Sequence, residues 1–316
     1  MPRFETRPYA GESDLALLID FARNCTAERW PRRTPWHVGD VAWQLLGSTG
    51  FDPFANIRLW FDGGSVVGLG WFEPPLNVVF EIRPVVSDQD ALTNEILDWA
   101  EERRRELARP APGEIARAYA MLGDDTLATT ALESDHQRLA LLERRGYVRG
   151  DRDNVHFRQS LAGPIPEPPL EPGMRLRHAT DADIEARAEL HRAAWSVWGP
   201  STFSVETYRR LRACPVYDEE LDVILEAADG TLVAYCICWK DPANGVGSFE
   251  PVGTRPGYTR RGLMQATMFE GLRRLKARGM HTALVGTASV NEAALALYPR
   301  SGFQPDGREW YFTKRM

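Results

Sequence analysis

The chain has 316 residues, of which 43% are hydrophobic and 26% charged, and these values are typical of a soluble globular protein with room for two domains. Its formal net charge of −6 argues against broad nucleic-acid binding, and no run of residues is long and apolar enough for a membrane span. The first residues contain no apolar stretch of the kind that a secretory signal needs, so we expect a cytoplasmic protein.

The first 160 residues predict an alternation of strands and helices. In chain order the segments are a strand and a helix within 3–26, a tryptophan-rich helical arm at 27–50, a β-hairpin of 57–61 and 65–72, a strand at 78–82, a helix at 91–106, a strand at 115–122, a helix at 135–145 and a closing strand at 155–160. The hairpin prediction rests on Asp62-Gly63-Gly64, a sequence that favours a tight turn.

Residues 161–173 contain five prolines and predict a semi-rigid linker, because proline interrupts both helices and sheets. A similar order of elements then returns. The segments are a strand at 175–177, a helix from Thr180 to about Trp195, an aromatic arm at 196–217, a hairpin of 222–227 and 232–239, a strand centred on Val252, a helix after Gly262, a strand at 282–286, a helix at 291–300 and a strand at 309–314.

The stretch at residues 249–275 predicts a strand, a basic glycine-bearing turn and a helix. The helix has one apolar face, formed by Met264, Met268, Leu272 and Leu275. Between Pro251 and Met268 there are three arginines and no acidic residue. Because the first turn of a helix has unpaired N–H groups and a partial positive charge, the stretch predicts an anion site that suits a diphosphate.

Two motifs in residues 174–316 resemble those of the GNAT superfamily of N-acetyltransferases. The family's acyl-CoA motif is Arg/Gln-x-x-Gly-x-Gly/Ala between a strand and a helix, and residues 259–264 (TRRGLM) keep its central Gly262 but depart from it at Thr259 and Met264. Residues 291–303 (NEAALALYPRSGF) match the family's Asn-x-x-Ala-x-x-Leu-Tyr-x-x-x-Gly-Phe nearly completely. The resemblance implies that acetyl-CoA lies in a V-shaped cleft between two splayed parallel strands, where an amine attacks the thioester directly.

The two halves of the chain also resemble each other. Gly146-Tyr147 precedes Gly302-Phe303 by 156 residues, and residues 139–141 match residues 295–297 at that offset. We therefore expect an α/β (α+β) protein of two tandem GNAT-like domains, each with a mixed, mostly antiparallel central sheet flanked by helices and opened by a splayed parallel-strand cleft. The expected division is residues 1–160, here called the N-terminal half, the linker, and residues 174–316, the C-terminal half. This layout resembles that of the mycothiol synthases within the superfamily.

The N-terminal half is expected to be degenerate and non-catalytic. Asp88 and Asp90 would put negative charge where the phosphates of an acyl-CoA should lie. Asp135 stands opposite Asn291, and Leu142 stands opposite Tyr298.

In the C-terminal half, the resemblance implies a set of acetyl-CoA-binding residues. They are Val252, Gly253, Thr254, Arg260, Arg261, Gly262, Leu263, Met264 and Asn291. The strand residues would bond the pantetheine through their backbone, and the arginines and the N–H groups around Gly262 would hold the diphosphate. Met264 replaces a small residue and is expected to crowd the turn. Asn291 either bonds the pantetheine or caps its helix, and the sequence leaves both open.

Tyr298 and Glu250 are the candidate catalytic residues. A phenol with a pKa near 10 is able to protonate a departing thiolate with a pKa near 8.5, and a carboxylate beside the cleft is able to accept the amine proton. The alternatives are a half-buried structural tyrosine and an exposed carboxylate at a strand end. No metal is expected, since the six histidines show no ligand spacing.

The predicted function is transfer of an acetyl group from acetyl-CoA to an amine of a small molecule or peptide. We expect no nucleic-acid or membrane partner, and a monomer or a homodimer. Trp195, Trp198, Phe203, Tyr208 and Tyr217 are available to line an acceptor pocket or to form core. Two alternatives stay open: a non-catalytic acyl-CoA sensor or scaffold, which needs neither Tyr298 nor Glu250, and a transferase of the same fold for a longer acyl chain.

The four cysteines are expected to be reduced and to serve as small apolar residues. Cys236 and Cys238 lie two residues apart in a strand, so both thiols should point to one face of the sheet.

Overall fold

The structure is a computed structural model that describes residues 3–31, 36–47, 52–107, 125–167 and 170–316. The strand expected at 115–122 and parts of the arm at 27–50 lie outside these ranges.

The N-terminal half alternates strands and helices as expected. Its elements are β1 (Glu5–Pro8), α1 (Glu12–Arg29), α2 (Val38–Ala42), a π-helical turn (Trp43–Gly47), α3 (Pro53–Asn56), β2 (Ile57–Asp62), β3 (Ser65–Glu73), β4 (Asn77–Ile82), α4 (Gln89–Glu106), β5 (Thr126–Leu132), α5 (His136–Arg144) and β6 (Val148–Ser160). The turn between β2 and β3 has positive φ at Gly63 and Gly64, which explains why glycines stand there.

The C-terminal half repeats this order. Its elements are β7 (Arg175–His178), α6 (Ile184–Trp195), α7 (Val205–Arg212), β8 (Asp222–Glu226), β9 (Leu232–Asp241), β10 (Val246–Thr254), α8 (Leu263–Ala277), β11 (Thr282–Ala288), α9 (Glu292–Arg300) and β12 (Gln304–Arg315), with short 3₁₀ turns at Asp181–Asp183, Ser196–Trp198 and Glu219–Leu221. The apolar face predicted for α8 is confirmed, since Met264, Met268, Leu272 and Leu275 are all buried.

The described strands form one continuous sheet of twelve, in the order β1-β2-β3-β4-β5-β12-β6-β11-β10-β9-β8-β7. Neighbours are antiparallel except β4 with β5 and β10 with β11, which are parallel. The mixed, mostly antiparallel sheet with flanking helices confirms the predicted fold class.

The last strand of each half is exchanged. β6 pairs with β11 of the C-terminal half, β12 pairs with β5 of the N-terminal half, and β6 and β12 pair with each other at the centre. The expectation that residues 155–160 close the first unit is therefore wrong, because those residues complete the sheet of the second. The pattern of a strand does not name its partner, since any antiparallel neighbour satisfies its backbone groups.

Each half of the sheet packs its own helices. One core lies between β8–β11 and helices α8 and α9, and a second lies between β4, β5 and helices α4 and α5. On the opposite face of the sheet, Ala42 and Trp43 from the N-terminal half pack with Phe203 and Trp239 of the C-terminal half. This shared cluster joins the halves on the side away from α8 and α9.

The linker lies along α8, and its described residues, 161–167 and 170–173, form neither helix nor strand. The Arg273 Nη1 donates to the Pro166 carbonyl at 2.6 Å, and the Lys276 Nζ donates to the Gly163 carbonyl at 2.8 Å. Ile165 and Leu170 pack against the core beside α8. These contacts hold the linker against the domain that it precedes.

Candidate functional site

A cleft opens where β10 and β11 separate. The two parallel strands pair only from Val246–Thr282 to Ser248–Leu284. Beyond this point β10 continues to Thr254 and β11 to Ala288 without pairing to each other. Their facing backbone groups in this stretch are therefore available to a ligand that lies between the strands.

A β-bulge turns the wall of this cleft at Glu250. The register of β10 against β9 shifts between Phe249 and Val252, so Glu250 and Pro251 together face a single position of β9. Glu250 is half-buried, and its carboxylate makes no hydrogen bond or ion pair with any described residue. Burial, and secondarily the carboxylate of Asp40, raise the pKa of Glu250 to about 8.

The basic turn ends in an uncapped helix. Gly262 is the N-cap residue of α8 with φ of +77°, and no described side chain caps this N-terminus. A Cβ built on Gly262 meets no atom within 4 Å, so open space adjoins the first turn of α8. The arrangement leaves partial positive charge and free N–H groups facing that space.

The arginines of the turn differ in whether they form ion pairs. Arg260 is exposed, has a positive φ of 61°, and has no ion pair among the residues that the structure covers. Arg261 pairs with Glu171 of the linker, and Arg255 pairs with Glu189 of α6. Arg260 is thus the cation that this turn offers without prior release from a carboxylate.

Leu263 and Met264 are the first two residues of α8, and their side chains lie in the core that this helix helps to form. The Met264 side chain is 9% exposed, so the expected crowding of the turn does not follow from it. These two residues are therefore able to serve a ligand only through their backbone N–H groups.

The glycine at position 253 has a packing reason. A Cβ there would come within 2.6 Å of the Tyr235 ring and 2.9 Å of the Ala194 side chain. Val252, Gly253 and Thr254 all lie on the part of β10 that has left β11.

Tyr298 lies on α9 with its ring in the core and 2% of its surface exposed. The ring packs edge-on against Phe157 of the exchanged strand β6, with centroids 5.4 Å apart. Burial and then the charge of Glu250 raise the pKa of Tyr298, so the phenol stays protonated at neutral pH. No described residue forms a hydrogen bond with its hydroxyl.

Asn291 caps α9. Its Oδ1 accepts a hydrogen bond from the Ala294 N–H at 3.3 Å, so the capping interpretation has structural support. The Nδ2 donor is not used in that bond and stays available to a ligand.

Comparisons with known proteins fit this geometry. Residues 186–303 match the acetyltransferase (GNAT) family. The chain contains a GNAT acetyltransferase domain. This GNAT domain holds the splayed strands, the uncapped helix and Tyr298.

Curated relatives of the chain are named mycothiol acetyltransferases. That of Saccharomonospora viridis is 30% identical over 181 residues, which cover 54% of this chain and 59% of the relative. That of Streptomyces avermitilis is 31% identical over 156 residues, which cover 48% of this chain and 50% of the relative. The matches therefore span only about half the length of these relatives.

Solved structures share the fold along the whole chain. A GCN5-related N-acetyltransferase from Sphaerobacter thermophilus has a TM-score of 0.64 at 20% identity and covers 100% of this chain and 96% of its own. A tandem GNAT protein from the clavulanic acid biosynthesis pathway has a TM-score of 0.64 at 18% identity and covers 99% of this chain and 98% of its own. The fold of these two proteins therefore extends over both halves of the chain.

The corresponding cleft of the N-terminal half is occupied. β4 and β5 pair only at Asn77–Ala128 and Val78–Thr129 and then separate. The Arg138 guanidinium, 7% exposed, donates to the Phe80 carbonyl in the separated part of β4 at 3.1 Å. At the aligned position of the GNAT domain stands Ala294, which has no side chain able to reach the strand.

The helix that follows β4 is capped by an acid. The Asp88 carboxylate accepts the Ala91 N–H at 3.0 Å at the N-terminus of α4 and also pairs with Arg3. The anion site of this half is thus filled by a carboxylate of the chain itself.

The aromatic residues expected around the acceptor fall largely in the core. Phe203 and Tyr208 are buried. Tyr208 and Tyr217 donate their hydroxyl hydrogens to Asp222 at 2.7 and 3.1 Å, and Asp222 also accepts from the Arg187 Nε at 3.1 Å. This buried network is structural and does not favour a cationic ligand, because the Asp222 charge is already compensated.

Trp195 and Trp198 lie nearer the surface. Trp195 is half-buried and donates from Nε1 to the Tyr235 hydroxyl at 2.9 Å, while Trp198 is 44% exposed. Trp43 of the N-terminal half stacks on Phe203 with centroids 5.6 Å apart, so the two aromatic arms meet. Two surface hollows of about 400 and 470 Å³ lie outside the β10–β11 cleft, and of the five aromatic residues only Tyr217 lines one of them, the first.

Sequence reasoning missed two residues of the site, Asp40 and Trp239. Asp40 lies on α2, which packs on β9 and β10. The Trp239 Nε1 donates to the Glu250 carbonyl at 2.6 Å. The tryptophan-rich composition of residues 27–50 was a signal of packing, but nothing in the sequence directed α2 to a strand two hundred residues away.

Three further observations concern metals, thiols and membranes. No group of three or more His, Cys, Asp or Glu side chains within the described ranges is arranged to hold a metal ion. Cys236 and Cys238 point to one face with their sulfurs 3.8 Å apart, and all four cysteines are buried and free, as predicted. None of the helices in the described ranges has the length and apolar character that crossing a membrane requires.

Proposed function

We propose that this protein transfers an acetyl group from acetyl-CoA to an amine in the cleft between β10 and β11. The observation that carries the proposal is the uncapped N-terminus of α8 directly after the separated part of β10. A strand with free backbone groups that leads to a helix N-terminus suits a ligand with an amide-bearing arm and a diphosphate.

The acetyl-CoA site consists of the residues expected from the sequence. The backbone of Val252, Gly253 and Thr254 bonds the pantetheine arm, and the N–H groups from Gly262 to Met264 hold the diphosphate. Arg260 pairs with phosphate oxygens directly, and Arg261 does so after it leaves Glu171. Asn291 contributes its free Nδ2 while its Oδ1 keeps the helix cap.

In the chemical step, the amine nitrogen forms a bond to the thioester carbonyl carbon and the carbon–sulfur bond breaks. Glu250 accepts the proton that the amine must lose, and a carboxyl pKa of about 8 makes it a stronger base than an ordinary glutamate. Tyr298 gives its proton to the departing CoA thiolate. After product release Tyr298 takes a proton from solvent and Glu250 gives its proton to solvent, which restores both groups. The products are the acetylated amine and free CoA.

The N-terminal half is proposed to be non-catalytic. Arg138 occupies the strand backbone where a pantetheine would bind, Asp88 occupies the helix N-terminus, and Leu142 replaces the phenol. Its contribution to the working site is strand β6 and helix α2.

The acceptor is proposed to be a small molecule or peptide amine, and the names of the relatives make mycothiol-type substrates one class to test. A second candidate function is a non-catalytic acyl-CoA sensor, which the exposed pairing of Arg261 with Glu171 favours because binding would then change a surface contact. A longer acyl group is a third possibility, which a donor panel separates from acetyl transfer.

The experiment has two stages. Calorimetry should give micromolar acetyl-CoA binding to the full chain at a stoichiometry of one, since the N-terminal cleft is filled. Release of free CoA thiol is then measured with amines, peptides and mycothiol-type acceptors, and with acetyl-, butyryl- and palmitoyl-CoA. Acetyl-CoA binding without thiol release from any donor and acceptor supports the sensor. Absence of acetyl-CoA binding refutes both the acetyltransferase and the acetyl-CoA sensor.

A further inference from the structure

We propose that helix α2 of the N-terminal half positions Glu250 through the indole of Trp239. The inference rests on the proposed role of Glu250 as the proton acceptor. It makes Trp239 a positioning residue, and it gives the N-terminal half a direct part in the chemistry of the GNAT domain.

The first step is the backbone of the bulge. Glu250 and Pro251 interrupt the ladder between β10 and β9, and proline has no N–H to restore it. A buried carbonyl without a ladder partner is costly, so it needs another donor. The Trp239 Nε1–H supplies that donor to the Glu250 carbonyl at 2.6 Å and so fixes the peptide from which the Glu250 side chain extends.

The second step is the contact between α2 and the indole. A Cβ on Gly39 would lie 2.1 Å from Trp239 Cγ and 2.4 Å from its Cβ, so glycine allows the helix to press directly on the ring. Trp239 is 1% exposed, and with α2 on one side and Tyr217 edge-on at 6.3 Å its ring has little freedom to rotate.

The third step is the anchoring of α2 itself. His37 caps the helix, with its Nδ1 accepting the Gly39 N–H at 3.1 Å. Because Nδ1 is the acceptor, the neutral ring carries its hydrogen on Nε2, which donates to the Val246 carbonyl of β10 at 3.2 Å. The helix therefore bridges the start of β10 and the residue that holds its bulge.

A comparison within the chain supplies a control. Trp71 of β3 lies opposite Val79 of β4, as Trp239 of β9 lies opposite Ser248 of β10. Trp71 is also 1% exposed, but its ring packs against Trp36, and it belongs to the half with the filled cleft. Trp239→Phe and Trp71→Phe each remove one indole N–H, and the two tryptophans are equally buried, so Trp71→Phe is a matched control.

The kinetic test compares Trp239→Phe, Trp71→Phe, Glu250→Gln and the double variant Trp239→Phe/Glu250→Gln by thiol release with the most active amine. Trp239→Phe should lower kcat about tenfold with the acetyl-CoA KM within twofold, and Trp71→Phe should stay within twofold in both. The double variant should be no slower than Glu250→Gln alone, because the indole acts through that carboxylate. Equal activity of the two Trp→Phe variants, or an additive loss in the double variant, overturns the proposal.

A second measurement does not depend on turnover. The indole N–H signal of Trp239, identified as the one missing in Trp239→Phe, is followed by hydrogen exchange in ¹⁵N-labelled protein. Gly39→Ala should accelerate its exchange at least tenfold, and unchanged exchange overturns the link between α2 and the indole. If Gly39→Ala does not fold, His37→Asn, which keeps a helix cap but loses the bond to Val246, replaces it.

The two failures are distinguishable. A wild-type protein that releases no thiol with any acceptor contradicts the proposed function, whereas an active wild type with an unaffected Trp239→Phe contradicts only the positioning role.

Discussion

The two halves of this protein repeat one fold but differ in what fills the gap between their parallel strands. In the N-terminal half, Arg138 bonds the separated strand β4 and Asp88 caps the following helix. In the C-terminal half, Ala294 leaves strand β10 free and Gly262 leaves helix α8 uncapped. A few side chains thus decide whether the backbone groups of the cleft bond to the chain itself or stay available to a ligand. The order of strands and helices is the same in both halves.

The largest expected difference between the halves concerns their buried tyrosines. Tyr298→Phe should lower kcat by about 10- to 1000-fold with little change in acetyl-CoA affinity, because the departing thiolate loses its proton donor. Tyr147→Phe in the N-terminal half removes a hydroxyl of equal burial that bonds Glu101, and its kcat should match the wild type. Thiol-release kinetics provide the measurement, and equal kcat for the two variants would remove Tyr298 from the mechanism.

The second comparison concerns the helix N-termini. Gly262→Asp imitates Asp88 by placing a carboxylate at the first turn of α8, so acetyl-CoA should bind about 10- to 100-fold more weakly, or about 1.4–2.8 kcal/mol. Gly279→Asp at the other end of α8 is the control, since Gly279 also has positive φ and open surroundings. Calorimetry measures both, and equal affinities would show that the diphosphate does not lie on this helix.

The third comparison concerns stability. Arg138→Ala empties the N-terminal cleft and leaves Glu81, 1% exposed, with Arg29 as its remaining ion-pair partner among the described residues, so the free energy of unfolding should fall by about 2–4 kcal/mol. Arg144→Ala on the same helix breaks an exposed pair with Asp90 and should cost less than about 0.5 kcal/mol. Urea denaturation followed by circular dichroism decides, and similar losses would show that Arg138 does not fill a buried gap.

The fourth prediction concerns pH. With its carboxyl pKa raised to about 8, Glu250 becomes an effective base only as pH rises through that value, so kcat should increase with an apparent pKa near 8. Among the described residues, the titratable groups that interact electrostatically with Glu250 are Asp40 of α2, Tyr235 of β9 and Tyr298 of α9. Of these, Asp40 is the one whose charge raises the pKa of Glu250, so Asp40→Asn should lower the apparent pKa of kcat by about 0.5–1 pH unit.

The same raised pKa affects stability in the opposite sense. The folded state holds the Glu250 proton from the unfolded carboxyl pKa near 4.3 up to about 8, and this stabilising contribution is lost as pH rises through that range. As pH rises from 5 to 9, the stability of Glu250→Gln should therefore increase relative to that of the wild type.

The kinetic prediction has its own contrary outcome. If kcat rises with the same apparent pKa in the wild type and in Asp40→Asn, Asp40 does not raise the pKa of Glu250.

The smallest predicted effect concerns the linker. Glu171→Gln releases Arg261 from its exposed pair, and acetyl-CoA should bind about two- to threefold more tightly at low salt, since an exposed ion pair contributes little. Glu167→Gln removes the same charge from an exposed linker residue and should leave the affinity unchanged. Weaker binding in Glu171→Gln would show that Glu171 supports the turn rather than competing with phosphate.

Local sequence was a good guide to the elements of the site. The helix expected at 291–300 is found at Glu292–Arg300 with Asn291 as its cap, and the helix expected after Gly262 begins at Leu263. Strand ends were less accurate, since the strands expected at 155–160 and 309–314 extend over Val148–Ser160 and Gln304–Arg315. The added residues 148–154 and 304–308 are mostly polar, and they are held in strand geometry mainly by the pairing of β6 with β12.

By itself the sequence determined that a strand, a basic turn and a helix N-terminus follow one another around Gly262, because these elements are contiguous and their signals depend on neighbours in the chain. The tertiary structure decided which strand closes which half, that Arg138 enters one cleft, and that α2 reaches Trp239 beside Glu250. Those outcomes depend on pairing and packing between residues far apart in the chain, for which several partners have the same pattern of polar and apolar side chains and only the complete fold distinguishes them.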